Sequence, residues 1–333
     1  MHVLLLMNGD DDALVSVISD ICAQFSGAFT LHTSTQATLT RDVALNIDIV
    51  LCSSLPKEIR AMMPRLRFVQ FWTAGVDGKL YRELFEQTLP HHGTGENMPV
   101  VVSTGSGVHT ASCSEHVLAM MLAFARGIPQ SLKAQSQQAW HRSMIEQDLF
   151  TLEGKTVGIV GAGQIGQAIA QRCKAFGMRT VGTRRDPSRE TPHFDYVLSH
   201  LQYHDLILAS DMIVLALPLT PHTRMLFGEE EIEVLRKGTY VFNIGRGGLW
   251  DEEKVITAVN RGWIAGVGVD VFVDEPLPAS SPWWSARNTI ITPHTGGVNQ
   301  DYWERYGLLV QRQFTALLED RILENRIDRD LGY

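Results

Sequence analysis

Positive charge is in short supply: 29 lysines and arginines stand against 37 aspartates and glutamates, a formal net charge of -8. Such a balance gives no general attraction to phosphate backbones or anionic lipid, which disfavours nucleic acid and membrane surfaces as partners. Cysteine is scarce as well. Cys22, Cys52, Cys113 and Cys173 lie far apart and form no CxxC pair. Reduced structural thiols are therefore expected rather than a disulfide framework, in a reducing compartment such as the cytosol. Long apolar runs are missing too. The opening run Val3–Met7 is followed by Asp10, Asp11 and Asp12, and it is too short for a secretory core or a membrane span, so it reads as a buried first strand. Low-complexity tracts and internal repeats are also lacking, which excludes solenoid and linker-rich architectures.

What remains is an ordinary globular composition, 44% hydrophobic and 20% charged over 333 residues, enough for two domains with a core each. Apolar runs at Val3–Met7, Ile47–Leu51, Phe68–Phe71 and Val100–Val102 alternate with helix-like stretches such as Asp12–Phe25. That alternation implies a parallel α/β sheet. After the Gly/Ser-rich Ser103–Gly107, the apolar helix Ala111–Arg126 reads as a crossover, with a hinge near residue 104. The alternation then restarts: strand Thr156–Val160, helix Gln164–Phe176, strands Met178–Thr183, Asp211–Leu217 and Thr239–Ile244, helix Asp251–Arg261 and strand Ile264–Val271. The helical pattern Trp303–Ile322 has no strand after it and is expected to pack back on the N-terminal unit. The expected fold is thus two doubly wound, Rossmann-like or flavodoxin-like α/β domains. Residues 1–103 plus 297–333 would form a substrate-binding domain and residues 104–296 a cofactor domain, with the site in the cleft between them.

Thr156-Val157-Gly158-Ile159-Val160 runs into Gly161-Ala162-Gly163-Gln164-Ile165-Gly166, a GxGxxG motif between a strand and a helix, the context in which it signals a dinucleotide. Gly161 serves the tight turn, Gly163 the approach of a pyrophosphate, and Gly166 the packing of helix on strand. A carboxylate at the end of the second strand accepts bonds from the ribose 2′-OH of NAD and repels the 2′-phosphate of NADP. Here the sequence reads Thr183-Arg184-Arg185-Asp186. Arg184 and Arg185 favour NADP(H) over NAD(H), since a guanidinium suits a phosphate. The other reading leaves both arginines as solvated charges, with Asp186 curling back to the ribose.

Several further stretches carry a resemblance over nearly the whole chain: Thr73-Ala74-Gly75-Val76-Asp77, Gly107-Val108-His109 with Glu115-His116, Leu217-Pro218-Leu219-Thr220-Pro221, Asn243-Ile244-Gly245-Arg246-Gly247, Gly268-Val269-Asp270-Val271-Phe272, Glu275-Pro276 and Thr292-Pro293-His294. In these motifs and their order the sequence resembles the D-2-hydroxyacid dehydrogenase family. The resemblance implies a nicotinamide cofactor, a small 2-oxo acid substrate and a homodimer joined through the cofactor lobes. It implies Arg246, Glu275 and His294 as catalytic residues, and Ala74, Gly75 and Val76 with Arg246 as substrate contacts. Around the cofactor it implies Leu217, Pro218, Thr223, Ile244, Gly245, Asp270 and His294, beside Gly161, Gly163, Gln164, Ile165, Gly166, Arg184 and Arg185.

The chemistry suits these residue types. A 2-oxo acid needs a proton at its carbonyl oxygen as hydride reaches the carbon, and histidine titrates in the right range. A carboxylate such as Glu275 stabilises the imidazolium and fixes the ring. Arginine offers a fixed, forked cation for the substrate's carboxylate and carbonyl oxygen. Amides around Ala74, Gly75 and Val76 would form an anion nest. The formate dehydrogenase branch pairs its histidine with glutamine, so Glu275 argues against it. A nucleotide-sensing scaffold like the C-terminal-binding corepressors keeps the same trio and is the alternative. Glyoxylate and hydroxypyruvate are the favoured substrates, then bulkier acids such as phenylpyruvate. Phosphoglycerate is less favoured, for want of an appended regulatory domain and of an added basic cluster.

Three signals are given less weight. His109, Cys113 and His116 would share a helix face, but three ligands on one helix lack the geometry of a closed tetrahedral zinc site, so no metal is expected. Cys113 is expected in the core, His109 near the cofactor and His91-His92 in a solvated loop. Glu229-Glu230-Glu231 reads as a helix N-terminal cluster. Trp72, Trp283 and Trp284 are candidates for a pocket wall or for core and interface anchors.

Overall fold

A computed structural model of the protein describes residues 1–76, 80, 82–86, 88–90, 97–329 and 331–332, with the backbone alone at 86, 88–90, 97 and 98. Its contacts divide it into two compact units, Met1–His109 with Asn299–Tyr333, and Thr110–Val298. Asp77 and the pair His91-His92 lie outside the described residues.

The first unit holds strands β1 (His2–Met7), β2 (Thr30–Thr35), β3 (Ile49–Cys52), β4 (Phe68–Phe71), β5 (Thr88–Pro90), β6 (Asn97–Pro99) and β7 (Val101–Ser103). Five of them form a parallel sheet in the order β2-β1-β3-β4-β7, and β5 and β6 pair antiparallel apart from it. Its helices are α1 (Asp12–Gln24), α2 (Arg41–Ala44), α3 (Lys57–Ala61) and α4 (Glu83–Glu86), with a C-terminal helix Tyr302–Leu318. Asp11 caps α1 by accepting from the Leu14 amide at 3.0 Å, satisfying one of the donors that every helix start leaves open. Leu14, Ile18, Ile21 and Cys22 then recur at helical spacing on one buried face. That face packs with Tyr306, Leu309, Val310 and Phe314 of the C-terminal helix and with Val3 and Leu5 of β1.

The second unit holds β8 (Thr156–Val160), β9 (Arg179–Arg184), β10 (Tyr196–Ser199), β11 (Met212–Leu215), β12 (Tyr240–Asn243), β13 (Gly266–Val269) and β14 (Thr289–Ile291). They form one parallel sheet in the order β10-β9-β8-β11-β12-β13-β14. Helices α5 (Thr110–Ala125), α6 (Ile128–Ser136), α7 (Arg142–Ile145), α8 (Gln164–Ala175), α9 (Tyr203–Ala209), α10 (Glu229–Glu233) and α11 (Glu252–Asn260) accompany it. Strands β8, β11 and β13 are buried along their whole length, as expected where a parallel sheet is covered on both faces. From β8 the chain winds first to one side, through β9 and β10, and then to the other, through β11. A crevice opens at such a reversal, beyond the carboxyl ends of the strands.

Both units are doubly wound α/β structures, as the alternation of apolar runs implies. Strands β2, β5, β6, β10 and β14 have no counterpart among the expected ones. β2 reads Thr-Leu-His-Thr-Ser-Thr and β10 is half exposed at the other sheet's edge, so neither presents an apolar run. β14 has three residues. Among the described residues no helix is long and apolar enough to cross a membrane.

Candidate active site

The carboxyl ends of β8, β9, β11, β12, β13 and β14 carry most of the expected site residues. After β8, Gly161 has φ +111°, open to glycine at little cost, and a Cβ there would sit 2.6 Å from the Ala216 carbonyl. At Gly166 a Cβ would meet the Gly161 carbonyl at 2.1 Å, whereas at Gly163 it would meet nothing within 4 Å. The turn is thus closed by two glycines and open at the middle one. Gly163 is the N-cap of α8, and no side chain caps that end. Open space beside an uncapped helix N-terminus suits a pyrophosphate, so Gly161, Gly163, Gln164, Ile165 and Gly166 fit a dinucleotide. Gly245 and Leu217 join the same surface, a Cβ at Gly245 lying 2.7 Å from the Leu217 carbonyl. Ile244 packs into the core beneath it. Pro218 and Thr223 belong to the loop after β11, which Thr223 Oγ1 closes by donating to the Pro218 carbonyl at 2.7 Å.

At the end of β9, Arg184 is half-buried and Arg185 exposed. Asp186 is exposed and bonds within its own loop. Its Oδ1 accepts from the Ser188 hydroxyl at 2.5 Å and from the Ser188 amide at 3.1 Å. These two bonds, hydroxyl first, hold its carboxyl below the ordinary carboxylate range.

Arg246 follows β12 in a turn built by Asn243, which is fully buried. Asn243 Oδ1 accepts from the Gly245 amide at 3.1 Å and its Nδ2 donates to the Arg246 carbonyl at 3.0 Å. The Arg246 guanidinium donates to the Gly245 carbonyl at 2.6 Å. Next to it, a Cβ at Gly247 would strike the Phe272 backbone at 2.0 Å, so the loops after β12 and β13 touch. Phe272 in turn donates its amide to Glu275 Oε1 at 2.9 Å. Glu275 Oε2 lies 2.7 Å from His294 Nδ1, with the two side chains 35% and 46% exposed. At that distance from a carboxylate, Nδ1 carries a hydrogen and donates it, which leaves Nε2 as the nitrogen that can exchange a proton. The structure thus brings together Glu275 and His294 and sets the Arg246 turn against the loop that holds Glu275.

Asp270, at the end of β13, is 3% exposed. Its Oδ1 accepts from Thr292 Oγ1 at 2.6 Å and from the Thr295 amide at 2.9 Å, and its Oδ2 from the Gly296 amide at 2.9 Å. Cys113 of α5 lies within electrostatic reach. Burial pushes its thiol up to about 12, the Asp270 charge adding to the rise and the Arg246 charge opposing it. Cys113 is partly buried beside this site rather than enclosed in the core.

Ala74, Gly75 and Val76 belong to the first unit, after β4. Their loop is braced by Thr73 Oγ1, which donates to the Gly75 carbonyl at 2.9 Å, and by the Gly105 amide, which donates to the Thr73 carbonyl at 2.9 Å. Among the described residues the amides of Ala74 and Val76 have no acceptor, as an anion nest requires.

Other expectations are revised. His109 precedes α5 and stacks on Tyr302 at 5.0 Å within the first unit, so it shares no helix face with Cys113 and His116. Trp283 is 1% exposed and stacks on Trp250 at 5.5 Å, a core anchor rather than a pocket wall. Trp72 packs against Trp303 and Tyr306, while Trp284 is exposed and donates to the Pro278 carbonyl at 2.9 Å. Glu229, Glu230 and Glu231 form the first turn of α10 as expected, and Glu231 is 5% exposed and accepts from the Gly228 amide, His204 and Tyr203. Sequence reasoning missed His116 and Thr292 as a pair, whose side chains meet at 2.9 Å across 176 residues.

Comparison with known proteins agrees with this fold. The family model described as "D-isomer specific 2-hydroxyacid dehydrogenase, NAD binding domain" matches residues 118–296. A glyoxylate reductase of Thermococcus litoralis is 30% identical over 285 residues, 83% of this chain and 81% of that one. A D-3-phosphoglycerate dehydrogenase of Methanocaldococcus jannaschii is 33% identical over 229 residues, 69% of this chain, which spans 43% of that protein's length. Among solved structures, an NADPH-dependent glyoxylate/hydroxypyruvate reductase of Sinorhizobium meliloti in complex with NADP and sulfate superposes with a TM-score of 0.77 at 24% identity, covering 100% of this chain and 99% of that one. Fold, motifs and family model converge: the chain belongs to the D-isomer specific 2-hydroxyacid dehydrogenase family.

Proposed function

We propose that the protein reduces a small 2-oxo acid, of the glyoxylate or hydroxypyruvate kind, to the D-2-hydroxy acid, with NADP(H) preferred to NAD(H). The second unit is the cofactor domain and the first the substrate-binding domain, expected from the sequence as 104–296 and as 1–103 plus 297–333. The observation that carries the reading is the Glu275 to His294 pair at 2.7 Å. Bound at the turn 161–166, the coenzyme supplies the hydride.

The protein's own residues do the rest. His294 holds a proton at Nε2 and delivers it to the substrate's carbonyl oxygen as the hydride arrives at carbon. Glu275 accepts from Nδ1 and fixes the ring's orientation, leaving Nε2 to face the substrate. Arg246 holds the substrate by charge, and its guanidinium polarises the carbonyl. The open amides of Ala74 and Val76 suit a carboxylate. Arg184 and Arg185 suit a 2′-phosphate, a choice supported by Asp186 being engaged with Ser188. The reductases among the relatives support glyoxylate and hydroxypyruvate as substrates.

A panel of 2-oxo acids assayed with NADPH and NADH side by side tests this, reported as kcat/KM ratios. Turnover of glyoxylate or hydroxypyruvate, faster with NADPH, is expected. No oxidation with any 2-oxo acid would refute the reading and favour a nucleotide-sensing scaffold.

A further inference from the structure

One polar network at the strand ends is left unused by the proposed chemistry. Both oxygens of the buried Asp270 are directed at a single turn, through Thr292 Oγ1 and the amides of Thr295 and Gly296. These donors flank His294 on either side. His294 has φ +53°, a left-handed conformation that is unfavourable for a non-glycine residue and persists where the surroundings over-determine it. Asp270 provides that constraint.

His116 completes the network from α5. Its Nε2 lies 2.9 Å from Thr292 Oγ1 and 3.6 Å from Asp270 Oδ1. A threonine hydroxyl has one hydrogen to give. With a carboxylate oxygen at 2.6 Å and the Val269 carbonyl at 3.5 Å, that hydrogen goes to Asp270. Thr292 Oγ1 must then accept from His116, so Nε2 of His116 carries a hydrogen. Packing is close as well: a Cβ at Gly296 would lie 2.8 Å from Asp270 Oδ2 and 3.2 Å from His116 Cδ2. Turn, carboxylate and imidazole form one contact.

We propose that His116 is a positioning residue for the reaction, acting through Thr292 and Asp270 to aim His294, a role that rests on His294 being the proton donor. Without the His116 donor, the Thr292 hydroxyl still gives its hydrogen to Asp270 but loses the bond it accepts, and Asp270 loses the imidazole N–H 3.6 Å from its Oδ1. The contact that holds the strained turn is loosened on the Thr292 side. A reacting group displaced by about 1 Å lowers a rate on the order of 100-fold.

The test compares the full-length wild type with His116→Gln, His116→Leu, Thr292→Val and the double variant His116→Leu/Thr292→Val. Amide hydrogen exchange across residues 291–298 reads the turn without any need for turnover. NADPH oxidation with glyoxylate reads the chemistry. In His116→Leu and Thr292→Val, exchange at Thr295 and Gly296 should rise at least about tenfold, and kcat should fall about 10–100-fold while NADPH affinity changes less than about threefold. His116→Gln keeps an N–H donor of similar reach and should restore both readouts to within about threefold of wild type. The double variant should be no worse than the worse single one, as for partners in one network. Unchanged exchange in His116→Leu, or a Gln variant no better than Leu, overturns the proposal. Accelerated exchange in a protein whose wild type turns over no 2-oxo acid overturns it through the proton-donor role of His294, and leaves the brace itself standing.

Discussion

Replacing Arg184 by alanine isolates how the cofactor is read. The guanidinium stands half-buried at the end of β9, and the nearest carboxylate in sequence, Asp186, is engaged with Ser188. A charge-assisted hydrogen bond contributes about 1.5–3 kcal/mol. Solvent at this half-open position favours the lower end, about 1.5–2 kcal/mol. With tenfold for every 1.4 kcal/mol, Arg184→Ala should weaken NADPH by about 10–30-fold. NADH has no 2′-phosphate to lose, so its affinity should change by less than about threefold on the same scale. Titrating NADPH and NADH into the wild type and the variant, by fluorescence or calorimetry, measures this without dependence on a substrate. Equal losses for the two coenzymes, or no loss at all, would refute the assignment of Arg184 to the phosphate.

Two other perturbations probe the scaffold. Gly166→Ala places a methyl group where the Gly161 carbonyl lies 2.1 Å away; the turn must open, and NADPH affinity should drop at least about tenfold with the far-UV spectrum retained, since overpacking typically costs 1–3 kcal/mol. Glu231 gives a pH signature. Burial pushes its carboxyl up, but bonds from Tyr203, His204 and the Gly228 amide outweigh that and hold it below the ordinary 4.5. A depressed value in the folded state means stability present above about pH 4.5 and lost as pH falls through the folded value. The melting temperature of the wild type should therefore exceed that of Glu231→Gln at pH 7, and the gap should close in acid; a gap that stays constant or widens in acid would contradict it.

Much of this molecule is legible in the sequence because buried parallel strands leave an unbroken apolar trace. Phe68–Phe71 and Thr156–Val160 are delimited to the residue. Where a strand is half exposed the trace fades: β2 offers Thr30, His32, Thr33, Ser34 and Thr35 beside one leucine, and its place at the sheet edge comes from pairing with β1. The candidate site divides along the same line. Arg246, Glu275 and His294 sit in local motifs of glycine, proline and charge whose order along the chain carries the family resemblance that singles them out. The brace of His116, Thr292 and Asp270 joins the second turn of α5 to the ends of β13 and β14, which meet only in the folded unit, and no local period announces it. Burial is the other blind spot. Glu231 belongs to a run of three glutamates legible as a helix N-terminus, and only the fold reveals that one of them turns inward to close a capping box.

On the proposed reading, His294, held by Glu275, gives the proton that completes reduction of a 2-oxo acid. The most direct test of that role is the kcat of His294→Ala for glyoxylate with saturating NADPH, taken with the NADPH dissociation constant of the same preparation. A fall in kcat of about 10²–10⁴-fold at unchanged coenzyme affinity is predicted; turnover equal to that of the wild type would contradict it.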